Sequence, residues 1–210
     1  MVVAINKTSV KTFKVVLLGD VAVGKSSVMA SLKYGAFAET YQPTIAPDYF
    51  PHLVSGSDGS VTKLSVWDTA GQEKFRAIIP TFLRDISVCI LVFDLTSRRT
   101  FENVRGWMEF VRQERGEDRL VHFYLVGNKA DLTEERAVSK EEGAALSESL
   151  GCREYCEVSA KRCLGISELF TKVAQGVPLL TIPDAPYMRS HIKVDHRALH
   201  TDKSYTNCSC

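Results

Sequence analysis

The sequence has no apolar run long enough to cross a membrane and no excess of charge of either sign. Its longest apolar stretches, such as Val88–Phe93, fall far short of the ~20 residues of a membrane-spanning helix. The 26 Lys and Arg nearly balance the 25 Asp and Glu, which leaves a formal net charge of +1. A broad nucleic-acid-binding surface is disfavoured, because it needs a basic excess. The N-terminus has no basic stretch followed by an apolar core, so we expect no secretory signal and an intracellular protein.

The positions of the cysteines also need an explanation. The six cysteines are Cys89, Cys152, Cys156, Cys163, Cys208 and Cys210. Without an export signal, a disulfide framework is not expected. The three between 152 and 163 raise the alternative of a zinc site, but they form no Cys-x₂-Cys pair, so the pattern favours buried thiols.

Apolar runs of strand length alternate with segments of helical character. Val15–Leu18 does not alternate polar with apolar residues, which suits a strand buried on both faces of a sheet. The predicted strands are Phe13–Leu18, Leu64–Trp67, Ile86–Phe93, Val121–Val126 and Tyr155–Val158. The predicted helices are Ser26–Tyr34, Phe101–Arg115, a segment between Ser139 and Gly151, and Gly165–Gln175. This alternation predicts an α/β domain with a mostly parallel sheet.

Two of these helices carry further signals. Ser139 and Glu142 have the spacing of a capping box, and Gly151 lies where that helix is expected to stop. The helix over 101–115 has its apolar residues at helical spacing, namely Phe101, Val104, Trp107, Met108 and Val111. We therefore interpret these five as the core-facing side of the helix.

The ends of the α/β pattern set the predicted domain limits. A Gly/Ser-rich turn at 55–60 joins His52–Val54 to Val61–Trp67, which predicts a hairpin and hence one antiparallel strand at the sheet edge. Prolines recur after Gln175, and the apolar periodicity is lost there. We expect an N-terminal extension over 1–10, one domain over 11–177 and a flexible tail over 178–210.

The segment 19–26 (GDVAVGKS) matches G-x-x-x-x-G-K-[ST] between a predicted strand and a predicted helix. Glycines let backbone N–H groups close around phosphate oxygens, and the helix N-terminus adds positive potential. Lys25 supplies charge to the outer phosphates, and the Ser26 hydroxyl can ligate Mg²⁺. The candidate phosphate-binding residues are Gly19, Val21, Ala22, Val23, Gly24, Lys25, Ser26 and Ser27.

Three further polar segments each follow a predicted strand. Asp68 lies at the end of one strand, where it can hold Mg²⁺ through water, while Gly71 offers an N–H to a terminal phosphate. The next segment supplies Asn128, Lys129 and Asp131, and the last supplies Ser159, Ala160 and Lys161.

These last two segments favour guanine as the base. The Asp131 carboxylate can accept two hydrogen bonds from the ring N–H and the exocyclic amine of guanine. Adenine lacks that amine and would leave a buried acceptor unpaired, which is costly. A backbone N–H from the segment 159–161 can face the guanine carbonyl. Taken singly, each segment is a weak match, since a polar loop after a strand is common.

With these motifs in this order, the chain resembles the Ras superfamily of small GTPases, and within it the Rab family, over residues 11–177. The Golgi Rab subfamily six is similar at several motifs, and so is the closing Cys-Ser-Cys. The segments that carry the resemblance are Trp67–Phe75, Ala77–Pro80, Arg84–Asp85, Glu114–Gly116 and Leu125–Lys129.

The resemblance implies a P-loop G domain, with a six-stranded, mostly parallel sheet, one antiparallel edge strand and helices on both faces. It also implies GTP and GDP as ligands, Mg²⁺ as cofactor and GTP hydrolysis. An exchange factor, a GTPase-activating protein, effectors and a GDP-dissociation inhibitor are the implied partners. The implied location is the cytosolic face of a Golgi or endosomal membrane.

The resemblance extends to the switch segments. Segment 37–45 looks like switch I, in which Phe37 packs edgewise on guanine, Tyr41 covers the phosphates and Thr44 completes the Mg²⁺ shell. Gln72 corresponds to the residue that orients the attacking water. An activating partner would supply an arginine, which speeds hydrolysis by on the order of 10³–10⁵ in GTPases.

Two positions depart from the family pattern. Val21 stands where Gly or Ser is usual, and its branched side chain crowds the space of the catalytic glutamine and the incoming arginine. We therefore expect slow intrinsic and stimulated hydrolysis. Pro47 alters the effector-reading switch I region, so the effectors of the resembled subfamily are not carried over.

Cys208 and Cys210 resemble the Cys-x-Cys end on which Rab proteins receive two geranylgeranyl groups. One lipid anchors only marginally, whereas two give stable attachment. A terminal disulfide or a metal-binding pair is the less favoured alternative in a reducing compartment.

Two alternative functions remain open at this point. One is a GTP-binding interaction protein with negligible turnover, motivated by Val21. The other is a metabolic P-loop kinase, which the segment Asn128–Asp131 disfavours because such a kinase should lack it.

Overall fold

The computed structural model of the chain describes residues 10–37, 48–69, 79–115 and 120–177. In these ranges six strands form one sheet in the order β2-β3-β1-β4-β5-β6. The strands are β1 (Lys11–Leu18), β2 (Asp48–Ser55), β3 (Val61–Asp68), β4 (Val88–Asp94), β5 (His122–Asn128) and β6 (Glu154–Glu157). The β2–β3 pair is antiparallel and the other pairs are parallel. The predicted mostly parallel sheet with one antiparallel edge strand is confirmed.

Helices cover both faces of the sheet. They are α1 (Lys25–Tyr34), α2 (Ile79–Leu83), α3 (Arg98–Glu102), α4 (Val104–Arg115), α5 (Lys140–Leu150) and α6 (Ile166–Gly176), with a 3₁₀ turn at Thr133–Glu135. Across the four described ranges, none of the helices combines the length and the apolarity that crossing a membrane requires.

The central strands send alternate side chains into two separate apolar cores. Val15 and Leu17 of β1 pack with α1 and α6, whereas Val16 and Leu18 pack with α4 and α5. Every residue of β4 and β5 is buried. An unbroken apolar run is what a strand buried on both faces requires, as predicted. The two layers of helices hold the carboxyl ends of the parallel strands at one common edge.

The edge strand β2 is longer than the predicted His52–Val54 and includes Pro51, which lies opposite Ser65 of β3. Proline has no N–H to donate, but an edge strand has one side without a partner strand, where a missing donor costs little.

Two other predicted elements differ in detail, and one short helix was not predicted. The single helix predicted over 101–115 is instead two helices, α3 and α4, separated at Asn103. The short helix α2 was not predicted, because its five residues are too few to show a helical period. The strand predicted from Ile86 begins at Val88.

The predicted capping box of α5 is confirmed. The Ser139 hydroxyl accepts a hydrogen bond from the Glu142 N–H at 3.1 Å, and the Glu142 carboxylate accepts one from the Ser139 N–H at 2.8 Å. The helix ends at Gly151, whose φ of 69° is in the left-handed region that favours glycine.

The four described cysteines are free thiols. Cys89 is buried in β4, Cys156 lies in β6, and Cys152, Cys156 and Cys163 are half-buried. Burial raises the pKa of Cys152 to about 11, so this thiol is protonated at neutral pH. Burial is therefore complete for Cys89, whereas the three cysteines between 152 and 163, which were expected to be buried thiols, are only partly buried.

Candidate functional site

The glycines of the loop 19–24 are required by close backbone approaches. Gly19 has a φ of 147°, and a Cβ there would lie 2.1 Å from the carbonyl oxygen of Val92. Gly24, the N-cap of α1, has a φ of 93°, and a Cβ there would lie 2.3 Å from Nδ2 of Asn128. The loop thus passes against β4 and β5 at the carboxyl edge of the sheet, where ligands bind in open α/β folds.

Lys25, the first residue of α1, turns its ammonium group back over this loop. Its Nζ donates to the carbonyl oxygens of Gly19, at 2.9 Å, and of Asp20, at 2.7 Å. The side chain is buried, and desolvation lowers its pKa to about 8 despite the nearby carboxylates of Asp68 and Asp20. A nearly buried cation in a ring of backbone groups is suited to an anionic ligand.

Asp68 ends β3 beside the start of α1 and is only 1% exposed. Burial raises the pKa of its carboxyl group, and a hydrogen bond with Ser26 opposes that shift. Its Oδ1 has no hydrogen-bond partner within the described part of the chain. Because an unpaired buried carboxylate oxygen is costly, it points to a missing ligand. Carboxylate and hydroxyl oxygens are the donors that Mg²⁺ prefers, so this pair fits the predicted metal.

Asn128, the last residue of β5, joins the two halves of the site. Its Nδ2 donates to the carbonyl oxygen of Val23 at 2.9 Å, and its Oδ1 accepts from the N–H of Ala160 at 3.1 Å. This one amide ties the glycine loop to the segment after β6. The Ala160 N–H, one of those predicted to face the guanine carbonyl, is thus already engaged by a side chain.

Asp131 is held in place by the same segment. The Ser159 hydroxyl donates to Asp131 Oδ1 at 2.5 Å and accepts from the Arg162 N–H at 3.1 Å. This relay orients the carboxylate before any ligand arrives, which lowers the entropic cost of binding.

Lys129 is fixed by a residue that the sequence did not single out. It has a φ of 66°, and its Nζ lies 2.6 Å from Oδ2 of Asp94 at the end of β4. Thr96 donates its N–H and its hydroxyl to the other oxygen of the same carboxylate. Asp94 thereby sets the direction of the Lys129 side chain.

Some of these groups line a cavity of about 340 Å³, within the usual range for a small-molecule site. Its lining consists of Ala22, Gly24, Ser27, Phe37, Asn128, Lys129, Asp131, Leu132, Ala160 and Lys161. All of these except Leu132 were candidate site residues. Phe37 lies at the rim and is 36% exposed.

Two other candidates of the loop have contrasting surroundings. Val21 is 38% exposed, whereas the side chain of Val23 is fully buried in the core, so only the backbone of Val23 is available to a ligand. Tyr41, Thr44, Gly71, Gln72, Cys208 and Cys210 lie outside the described residues.

Sequence reasoning also missed the contacts of Asp20. Its carboxylate accepts hydrogen bonds from Trp107 Nε1 at 2.8 Å and from Asn103 Nδ2 at 2.7 Å. Helical spacing had placed Trp107 with the core residues of α4, and it carried no signal for a polar contact 87 residues away in the chain.

A comparison with known protein families gives a match that agrees with this geometry. The model described as the Ras family matches residues 14–178, well over half of the chain. The matched region contains both helical layers, every described residue of the cavity and the whole sheet except the first three residues of β1.

Proposed function

The chain belongs to the Ras family of small GTPases, and from this premise we propose that it acts as a Rab-type, membrane-anchored switch in intracellular vesicle traffic. Membership of the family establishes a guanine-nucleotide-binding G domain. The nucleotide-binding part of the proposal is supported by the cavity. It lies between the phosphate loop and the Asp131 carboxylate, which is already oriented for a base.

Two parts of the site bind different parts of the nucleotide: one binds the phosphates and the other binds the base. Lys25 and the N–H groups of the loop neutralise and hold the phosphates. Asp131, fixed by Ser159, accepts the two N–H groups that guanine presents and adenine does not. Asn128 connects these two parts of the site through its hydrogen bonds to Val23 and Ala160.

Ser26 and Asp68 are the described residues that would hold Mg²⁺, the latter through water, and Thr44 is the third expected ligand. When bound, the ion would supply positive charge that offsets the negative charge of the phosphates.

Hydrolysis depends on positioning and charge rather than on covalent chemistry of the protein. By resemblance to the family, Gln72 orients the attacking water, and Tyr41 and Gly71 face the phosphates. An activating protein supplies an arginine, and an exchange factor, effectors and a GDP-dissociation inhibitor complete the cycle.

The finer assignment rests on the Rab-like segments and on Cys208 and Cys210. We assign two prenyl groups to these cysteines and the cytosolic face of an intracellular membrane to the protein, with the Golgi favoured by the similarity to subfamily six.

Competition for labelled GTP tests the choice of base. Unlabelled GTP and GDP should displace the label at stoichiometric concentrations, and ATP should not do so at a hundredfold excess, because Asp131 is left unpaired by adenine. Asp131→Ala should weaken GTP binding, whereas Asp58→Ala, on the exposed hairpin turn, should not. Equal displacement by ATP would refute the assignment.

A second function, a GTP-bound scaffold with negligible turnover, is favoured by the exposed Val21. If this side chain obstructs the glutamine and the arginine, Val21→Ser should speed single-turnover hydrolysis by on the order of tenfold to a hundredfold, since small misplacements have such effects. Val10→Ser changes an exposed valine of the N-terminal region and should leave the rate unchanged. Equal rates for the native chain and Val21→Ser, each with and without an activating protein, would contradict the obstruction.

A further inference from the structure

Asp20, the second residue of the phosphate loop, is hydrogen-bonded by two side chains from outside the loop. The Asp20 carboxylate accepts one hydrogen bond through each oxygen, from Trp107 Nε1 and from Asn103 Nδ2. Trp107 lies in the first turn of α4, and Asn103 is the residue that immediately precedes this helix. Their backbones are also joined, since the Trp107 N–H donates to the Asn103 carbonyl oxygen at 3.2 Å.

The same residue also receives the lysine of the loop. The carbonyl oxygen of Asp20 accepts a hydrogen bond from Lys25 Nζ at 2.7 Å. Asp20 therefore connects two helices. Its side chain accepts hydrogen bonds from Trp107 of α4 and from Asn103 just before α4, and its backbone accepts one from Lys25, the first residue of α1. Hydrogen bonds to a charged carboxylate are about twice as strong as bonds between neutral groups.

The position of Trp107 explains why its N–H is suited to this task. The residue is half-buried between the apolar face of α4 and the loop, and its ring packs edge-on against Phe110 at 6.3 Å between centroids. A large ring fixed by packing offers its N–H at low cost in conformational entropy. Asn103 adds the second bond from the position at which α3 and α4 are separated.

We propose that Trp107 and Asn103 are positioning residues that slow the release of guanine nucleotide by holding Asp20. Val92 leaves no room for a side chain at Gly19, and Lys25 is the first residue of α1, so the bonds to Asp20 add a restraint between these two points of the loop. A loop held in its binding geometry loses less entropy when the nucleotide binds, so the complex is longer-lived. The inference rests on the nucleotide-binding function assigned above.

The test is the rate at which the full chain releases fluorescent GDP after addition of excess unlabelled GDP. Trp107→Phe removes the N–H and keeps most of the ring, and it should speed release about tenfold, as expected for the loss of a hydrogen bond to a charged group. Asp20→Ala should speed release at least as much. The double variant should release GDP no faster than Asp20→Ala alone, because both changes remove the same link.

Control variants separate positioning from general stability. Arg105→Gln removes a bond from the same helix to Ser149, at 3.2 Å and on the side of α5, and should leave the release rate unchanged. Asn103→Ala changes an exposed residue and tests the link if Trp107→Phe does not fold.

The outcomes distinguish this inference from the assigned function. A native chain that takes up no fluorescent GDP would overturn both. A native chain that binds GDP, with release unchanged in Trp107→Phe or in Asn103→Ala, would overturn the positioning role alone. Additive effects in the double variant, or equal acceleration by Arg105→Gln, would also overturn it.

Discussion

At the scale of single residues, Lys25 is a cation buried beside the phosphate loop. The side chain is only 5% exposed. Burial lowers its pKa from the ordinary value of 10.5 to about 8. Phosphate groups placed against the ammonium group would favour the charged form and raise that pKa again. The nucleotide-bound protein therefore carries more protons than the free protein around pH 8.

This difference predicts proton uptake on binding and a loss of affinity as the pH rises above 8. Around pH 8 part of the free protein has a neutral Lys25, so GDP binding should take up protons. Calorimetry in buffers of different ionisation enthalpy measures the uptake. Lys33→Gln, which alters the far end of α1, should leave it unchanged, and absence of uptake in the native protein would contradict the prediction.

The residues of the site differ in how far the sequence reveals them. Lys25, Ser26, Asp68 and Asp131 were predicted, because each has a fixed spacing from the end of a strand. Asp20 and Asp94 were not predicted. Their partners Trp107 and Lys129 are distant in sequence, and no sequence motif pairs them with these two carboxylates. Contacts of that kind depend on how the helices pack, and no local pattern encodes them.

At the scale of elements, α5 depends on its N-terminal cap. Ser139 and Glu142 satisfy two backbone N–H groups that the first turn of the helix leaves without partners. Ser139→Ala should therefore lower the free energy of unfolding by about 1 kcal/mol. Urea unfolding at a fixed nucleotide concentration measures the loss.

Ser167 provides the matched control for that variant. It is exposed in the first turn of α6, and the interaction that involves it is the acceptance of the Thr171 hydroxyl by its backbone carbonyl. Ser167→Ala should leave the stability nearly unchanged, and an equal loss in both variants would show that the cap is not responsible.

The helices and strands also differ in how well the pattern of apolar residues in the sequence predicts their limits. β4 and β5 are predictable from unbroken apolar runs, since both of their faces are buried. The full length of β2 is not, because an edge strand exposes alternate residues and tolerates Pro51. The break at Asn103 is equally hidden, since both flanking segments share one helical period.

At the scale of the whole molecule, the membrane attachment proposed above rests on lipid rather than on charge. Residues 178–210 contain four Lys and Arg and three Asp, which gives four minus three, or +1, too little for attraction to an anionic bilayer. Mass spectrometry of the peptide containing Cys208 and Cys210 from cells should find two isoprenoid additions.

Variants of the same motif extend this prediction. Cys208→Ser should leave one addition and only marginal membrane binding, because a single chain anchors weakly. Ser209→Ala should keep both lipids and the membrane fraction of the native protein. Unmodified thiols throughout the cellular population would contradict the anchor.

The link between Trp107 and Asp20 has an optical consequence. The chain contains two tryptophans, and the second, Trp67, packs against Tyr49 and Phe82 on another part of the sheet. In a Trp67→Phe background, all indole emission comes from a ring whose N–H is bonded to the phosphate loop. The protein then carries its own fluorophore at the loop, and the filling and emptying of the site can be followed in real time without an attached dye.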